Sequence, residues 1–208
     1  MEAALLESPT SPRSDGLRAR LISVALKILK DQGIEALTLR AVARGACVSH
    51  GAPARHFRNL DDLKAEVAAE GLRIVSGDVS DAMAQVPPGS PPKTLLMAAS
   101  RAYVNCALEN PGLFSLIIRT GTLPASNDAL RVESQSTYER FHRMVLKLQE
   151  RGWKKGMDPK LLAGSLWSSV HGLSTLWMHG TYQQAHPDAT LDDAIENILD
   201  LNSHPRSD

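Results

Sequence analysis

Apolar positions along this chain recur at three- and four-residue spacing and nowhere alternate as they would in a strand, which predicts an all-α fold. The first helix is expected from about Asp15, with Leu17, Leu21, Val24, Ala25, Ile28 and Leu29 on one face and Gly33 ending it in the left-handed conformation. Thr38 reads as the N-cap of a short second helix that turns Leu39, Val42, Ala43 and Ala46 inward and Arg40 and Arg44 outward. A third short helix is expected between its cap, Ser49, and its main apolar anchor, Phe57, with Val48 stapled against Pro53. Pro53 would stand in the first turn, where its missing N–H does least harm. A connector helix then starts at Asn59, where Asp61 and Asp62 suit a positive N-terminal end.

The stretch "QVPPGSPPK", Gln85 to Lys93, breaks this pattern. Beyond it four or five helices are expected. One runs from about Lys93 to Glu109, one opens with Asn110 and Pro111, and one runs from Asn127 to Arg151 with Leu130, Tyr138, Phe141, Val145 and Leu148 on one face. "DPKLLAGSLWSSVHGLSTLWMHG" starts with Asp158 as cap and is apolar around most of its circumference. That is more than one bundle can bury, so this penultimate helix is expected to pack against a second copy of the chain as well. "TLDDAIENILDL", Thr190 to Leu201, carries one apolar face and can pair with it.

At 208 residues, with 43% hydrophobic residues, the chain is expected to hold one or two domains around a sizeable core. A net charge of zero argues against broad coating of nucleic acid. The charge is uneven, however: from Thr38 to Lys64 there are five basic residues against two acidic ones, with His50 and His56 among them. No apolar run approaches the roughly 20 residues of a membrane span. "MEAALLESPTSPRSDG" lacks the layout of a secretory signal, so a cytoplasmic protein is expected. Cys47 and Cys106 suit neither a disulfide framework nor a metal pair and are expected as small buried hydrophobes. His171 and His179 are too far apart for an i, i+4 metal pair, and no phosphate loop, nucleophile elbow or paired-carboxylate motif is present. No metal, cofactor or enzymatic activity is therefore expected.

A short capped helix, a tight turn and a second short helix with small and basic residues at its head suggest a DNA-reading helix-turn-helix. "LTLRAVARGACVSHGAPARHFRNLDDL", Leu37 to Leu63, resembles the DNA-binding domain of the TetR/AcrR family, and the similarity runs from about Leu17 to Leu72. The resemblance implies an N-terminal three-helix DNA-binding domain, residues 15–75, joined by the connector helix to a C-terminal effector-binding and dimerisation bundle, residues 76–208. It implies that Thr38 caps near the DNA backbone and that Arg40 reaches a base edge or phosphate. Ser49, as cap, with His50, Gly51 and Ala52 would enter the groove, and His56 would lie near the backbone or bases. Arg55 reads either as a phosphate contact or as a solvated surface arginine. The chain departs from the family at three places. Cys47 stands where a turn glycine is usual, Ala54 where an aromatic phosphate contact is common, and Leu60 where a lysine is usual. Arg58 and Lys64 are the candidate substitute cations.

"WSSVHG", Trp167 to Gly172, resembles the Trp-xxx-His-Gly signature of one type of C-terminal domain attached to such DNA-binding heads. In the family, helices corresponding to 159–179 and 190–201 form a four-helix interface between two copies. Candidate effector-lining residues are Tyr103, Phe114, Tyr138, Phe141, Met144 and Trp167, with Arg119, His142 and His171 to orient a polar group. The expectation is a homodimeric transcriptional repressor, released from a palindromic operator in double-stranded DNA by a small molecule. The alternative is a helical small-molecule-binding or interaction protein whose DNA-binding head has weakened.

Overall fold

The structure is a computed structural model and describes residues 12–201; the expectations placed on the first eleven residues and on 202–208 lie outside them. Among the described residues there are helices and turns but no strand. α1 (Pro12–Gln32) begins three residues ahead of the expected Asp15 and ends at Gly33, whose φ of 80° is the left-handed stop read from the sequence. α2 (Leu39–Gly45) is capped by Thr38, whose hydroxyl accepts from the Ala41 amide at 3.1 Å. α3 (Leu60–Ala84) is capped by Asn59, whose carbonyl oxygen accepts from the Asp62 amide at 2.8 Å.

After the proline-rich break come α4 (Pro92–Glu109), α5 (Pro111–Ile117) and α6 (Asp128–Glu150), the last capped by Asn127. α7 (Pro159–Met178) carries its Asp158 cap, which accepts from the amides of Lys160 and Leu161. It is not penultimate. A five-residue helix, α8 (Thr181–Ala185), separates it from α9 (Leu191–Leu201), because Gly180 turns the chain at φ 71° and permits one further helical turn.

Among the described residues two larger apolar cores result, with a small third of Val145, Leu162 and Ala163. One gathers Leu21, Leu29, Leu37, Val42, Phe57 and Leu63 with Leu113, Leu116 and Leu130. The other joins Leu96, Val104, Leu148, Leu166, Leu173, Ile195 and Leu199. The first core thus draws on α5 and α6, and the boundary expected at residue 75 falls inside the unbroken α3. Tyr138 departs from the face assigned to it. It is 45% exposed while Val145 and Leu148 of the same helix are buried, because the neighbouring helices cover a narrower stripe than the spacing suggested.

The two halves approach closely where α5 crosses α1. A Cβ built on Gly112 would stand 2.3 Å from the Leu29 carbonyl oxygen, which is backbone and cannot swing away. Gly112→Ala is therefore expected to lower stability by about 1–3 kcal/mol, the usual range for overpacking a core. A urea midpoint equal to that of the unsubstituted protein would show that the crossing can widen freely.

Candidate nucleic-acid interface and effector region

The turn after α2 is set by its hydrogen bonds. The amides of Ala46 and Cys47 donate to Val42 and Arg44, and Val48 donates back to Ala43 at 3.0 Å. Closing the turn this way puts Cys47 at φ 53°, in the region where a side chain is strained and glycine is not. This is why the position suits glycine, and it corrects the expectation for Cys47. The left-handed residue points its thiol outward and is exposed, whereas Cys106 is buried as expected. Burial pushes the Cys106 thiol up to about 12, and the nearby Asp78 adds to the effect. Cys47→Gly is expected to raise stability by up to about 1 kcal/mol, the left-handed penalty less the glycine's extra chain entropy. A lower melting temperature in that variant would contradict the geometry of the turn.

The next segment is not the helix expected from Ser49 to Phe57. The Ser49 carbonyl accepts from Ala52, Ala52 from Arg55, and Pro53 from His56 and Phe57, leaving one 3-10 turn at Pro53–Arg55. The reason is local: Pro53 supplies no donor, and Gly51 adds no helical preference. Ser49 accordingly lies ahead of a turn rather than capping a helix. Pro53 and Phe57 are buried beneath this turn, Ala52 and His56 are half-buried, and Ser49, His50, Gly51, Ala54 and Arg55 face solvent. A Cβ on Gly51 would meet nothing within 4 Å, so folding does not require the glycine. The turn packs against α2.

Charge divides the basic side chains into two sets. Arg40, Arg44 and Arg55 are exposed and make no ion pair among the described residues. Arg58 and Lys64 are engaged: Arg58 pairs with Asp62 at 3.2 Å and Lys64 with Asp61 at 3.2 Å. Burial pushes the Asp62 carboxyl up, but hydrogen bonds from the Arg58 side chain and amide, and from Asn127, outweigh it and hold the group below the usual carboxylate range. Leu60, in place of the family's lysine, is half-buried against the first core. Arg44 is not among the expected DNA contacts. Its signal is present in the sequence, since it stands one turn after Arg40 on the same helix face.

In the C-terminal half the structure gathers four of the nine candidate effector residues and separates the rest. The Tyr103 hydroxyl lies 2.7 Å from His171 Nδ1, and the Phe114 and Trp167 rings stand 4.9 Å and 6.0 Å from the His171 ring. These come from α4, α5 and α7. Burial pushes Tyr103 up to about 12 and pushes His171 down, so both groups are held neutral. Trp167 is 53% exposed at the edge of the cluster. Phe141 and Met144 pack instead into the second core, Tyr138 stacks on His142 at 6.2 Å, and Arg119 is exposed before the Thr120–Thr122 turn. Two clefts of about 530 Å³ and 320 Å³ lie beside α1 and α3 and are lined by none of these nine residues.

α7 is apolar on two sides. Leu162, Leu166, Val170 and Leu173 are buried, while Leu161 and Leu176 are 72% and 45% exposed. Leu201 of α9 is 81% exposed. No helix among the described residues is long and apolar enough to cross a membrane.

Comparison with known proteins matches both halves. Residues 21–67 match the family described as bacterial regulatory proteins, tetR family, and residues 96–201, just over half of the chain, match a tetracyclin repressor-like C-terminal domain. An uncharacterized HTH-type transcriptional regulator of Bacillus subtilis, YobS, is 25% identical over 104 residues, which span 50% of this chain and about half, 52%, of that protein. A Rhodococcus sp. RHA1 protein described as of unknown function superposes with a TM-score of 0.76 at 25% identity, over 96% of this chain and 97% of that one. A TetR family transcription regulator of Marinobacter aquaeolei VT8 shares the fold at a TM-score of 0.66 and 16% identity, over 91% of this chain and 95% of its own. With a turn-reading head and a helical C-terminal domain matched in the family's order, this chain belongs to the tetR family of bacterial regulatory proteins.

Proposed function

We propose that this chain is a cytoplasmic, homodimeric transcriptional repressor that reads a near-palindromic operator with its N-terminal head, residues 15–75, and is released by a small molecule held in residues 76–208. The observation that carries this reading is the turn at Ser49–Ala52. It presents only small or polar side chains, stands on buried Pro53 and Phe57, and lies beside three arginines, Arg40, Arg44 and Arg55, that form no ion pair with any described residue. A backbone can approach DNA closely over such a surface, and cations beside it supply phosphate contacts. Thr38, Arg40, His50, Gly51 and Ala52 are the proposed positioning and groove-facing residues. Arg55 and His56 lie near the backbone, while Arg58 and Lys64 act mainly within the chain.

Two copies would meet through α7 and α9, whose exposed Leu161, Leu176 and Leu201 would otherwise remain in water. The Trp167–Gly172 stretch is taken as the Trp-His-Gly type of C-terminal domain. The cluster of Tyr103, Phe114, Trp167 and His171 is its effector end, and with His171 and Tyr103 neutral it favours an uncharged, aromatic or apolar ligand over an acidic one.

The test is a gel-shift series on the DNA immediately upstream of the coding region. Arg40→Ala and His50→Ala are expected to lose discrimination between that fragment and bulk DNA. Arg55→Ala should weaken binding to all sequences and lower the salt slope by about one. A wild-type protein that binds the upstream fragment no better than bulk DNA, while still binding small molecules, would favour the weakened-head alternative.

A further inference from the structure

Asn127 is 5% exposed at the head of α6, and each of its polar groups is used. Its Oδ1 accepts from the Leu130 amide at 2.9 Å, which caps the helix. Its Nδ2 donates to Asp62 Oδ1 at 3.0 Å and to Glu66 Oε1 at 3.1 Å, both one turn apart on α3. Capping explains only the first of these bonds, since an oxygen from serine, threonine or aspartate would serve equally. The amide protons serve a different purpose. Asp62 and Glu66 are buried to 9% and 8% exposure, and two adjacent carboxylates stay buried only when donors neutralise their repulsion.

Each of those carboxylates holds one side of the exit from the 49–58 segment. Asp62 accepts from the Arg58 backbone amide at 3.0 Å and from its guanidinium at 3.2 Å. Glu66 pairs with Arg18 at 2.6 Å, and the Arg18 guanidinium lies 5.6 Å from the centre of the Phe57 ring. Phe57 and Arg58 are therefore both gripped by groups that one side chain of α6 bridges, although it stands more than sixty residues later in the chain.

We propose that Asn127 is a positioning residue for the DNA-reading segment, through which the head of α6 sets where Phe57 and Arg58 leave the turn. The claim takes the function of residues 49–58 from the reading above, and its test separates the two.

Full-length Asn127→Ser and Asn127→Asp both keep a capping oxygen. Ser removes the bridging donor, and Asp replaces it with a third carboxylate. In amide hydrogen exchange without DNA, the first turn of α6 should keep its protection. Residues 52–58 should exchange roughly tenfold faster in the Ser variant, as the loss of a hydrogen bond to a charged group implies, and faster again in Asp. Unchanged exchange at 52–58 in both variants, or a loss confined to α6, would overturn the proposal. The same variants are then titrated with the upstream DNA fragment, where weaker selection is expected. If the wild type shows no selection, the DNA-reading assignment fails, and the exchange result still decides the role of Asn127.

Discussion

Phe57→Ala should lower the stability of the protein by about 3–5 kcal/mol, the range for truncating a buried aromatic residue to alanine. The ring is 1% exposed, and it is the largest fully buried side chain of the described residues. It joins Leu21, Leu37, Val42 and Leu63 in the first core. Its amide also donates to the Pro53 carbonyl at 2.9 Å, one residue beyond the His56 amide that closes the 3-10 turn. A cavity at this point removes the floor beneath the exposed reading surface, so DNA binding should fail even where the rest of the chain remains helical. The loss is a large part of the 5–15 kcal/mol that typically, in order of magnitude about 10 kcal/mol, holds a domain together. Urea denaturation followed by circular dichroism reads it directly. A change below about 1 kcal/mol would mean that the neighbouring side chains close the cavity, which their close packing in this core argues against.

The second large effect is on assembly. Leu161→Lys combined with Leu176→Lys should convert the proposed dimer to a folded monomer. Each leucine, if covered by the partner, contributes roughly 1.5–3 kcal/mol through the water it sheds, and in a two-fold interface every substitution counts twice. Dimer affinity should therefore fall by at least about ten thousandfold, since each 1.4 kcal/mol is a factor of ten. Both side chains are solvent-exposed in the single chain, so the fold itself should survive. Size-exclusion chromatography with light scattering, with circular dichroism as the check on folding, separates the outcomes. A dimer that persists in this variant would place the interface elsewhere.

What is legible in the sequence is what local physics decides. Thr38 and Asp158 cap the helices expected of them, and Asn59 and Asn127, expected only as helix starts, prove to be caps as well, because a cap depends on residues within three positions; Asn110, expected to cap α5, makes no such bond. The apolar spacing of α1 identifies its buried face for the same reason, with Leu21, Ala25, Ile28 and Leu29 buried. The reading segment departs from expectation at the same scale. Ser49 and Pro53 each suit a helix start, but Gly51 and the donorless proline together leave too few backbone bonds for more than one 3-10 turn. The Asn127, Asp62 and Glu66 bridge is invisible in the sequence because nothing local marks a donor that will meet carboxylates some sixty residues away. The effector candidates come together only in part. Spacing says which residues share a helix face, not which neighbouring face they meet, so the rings of Tyr103, Phe114, Trp167 and His171 meet one another, while Phe141 and Met144 pack against the second core, which Tyr103 also borders.

The most direct measurement of the central claim is selection of bound duplexes from a random DNA pool by the full-length protein at moderate salt, which works without an identified operator. Near-palindromes whose half-sites are centred about one helical turn, roughly 10 base pairs, apart or a multiple of it should be enriched. The enrichment should collapse with Arg40→Ala. A pool that emerges unenriched, or enriched for a motif without two-fold symmetry, would contradict a dimer that reads DNA through the turn at Ser49–Ala52.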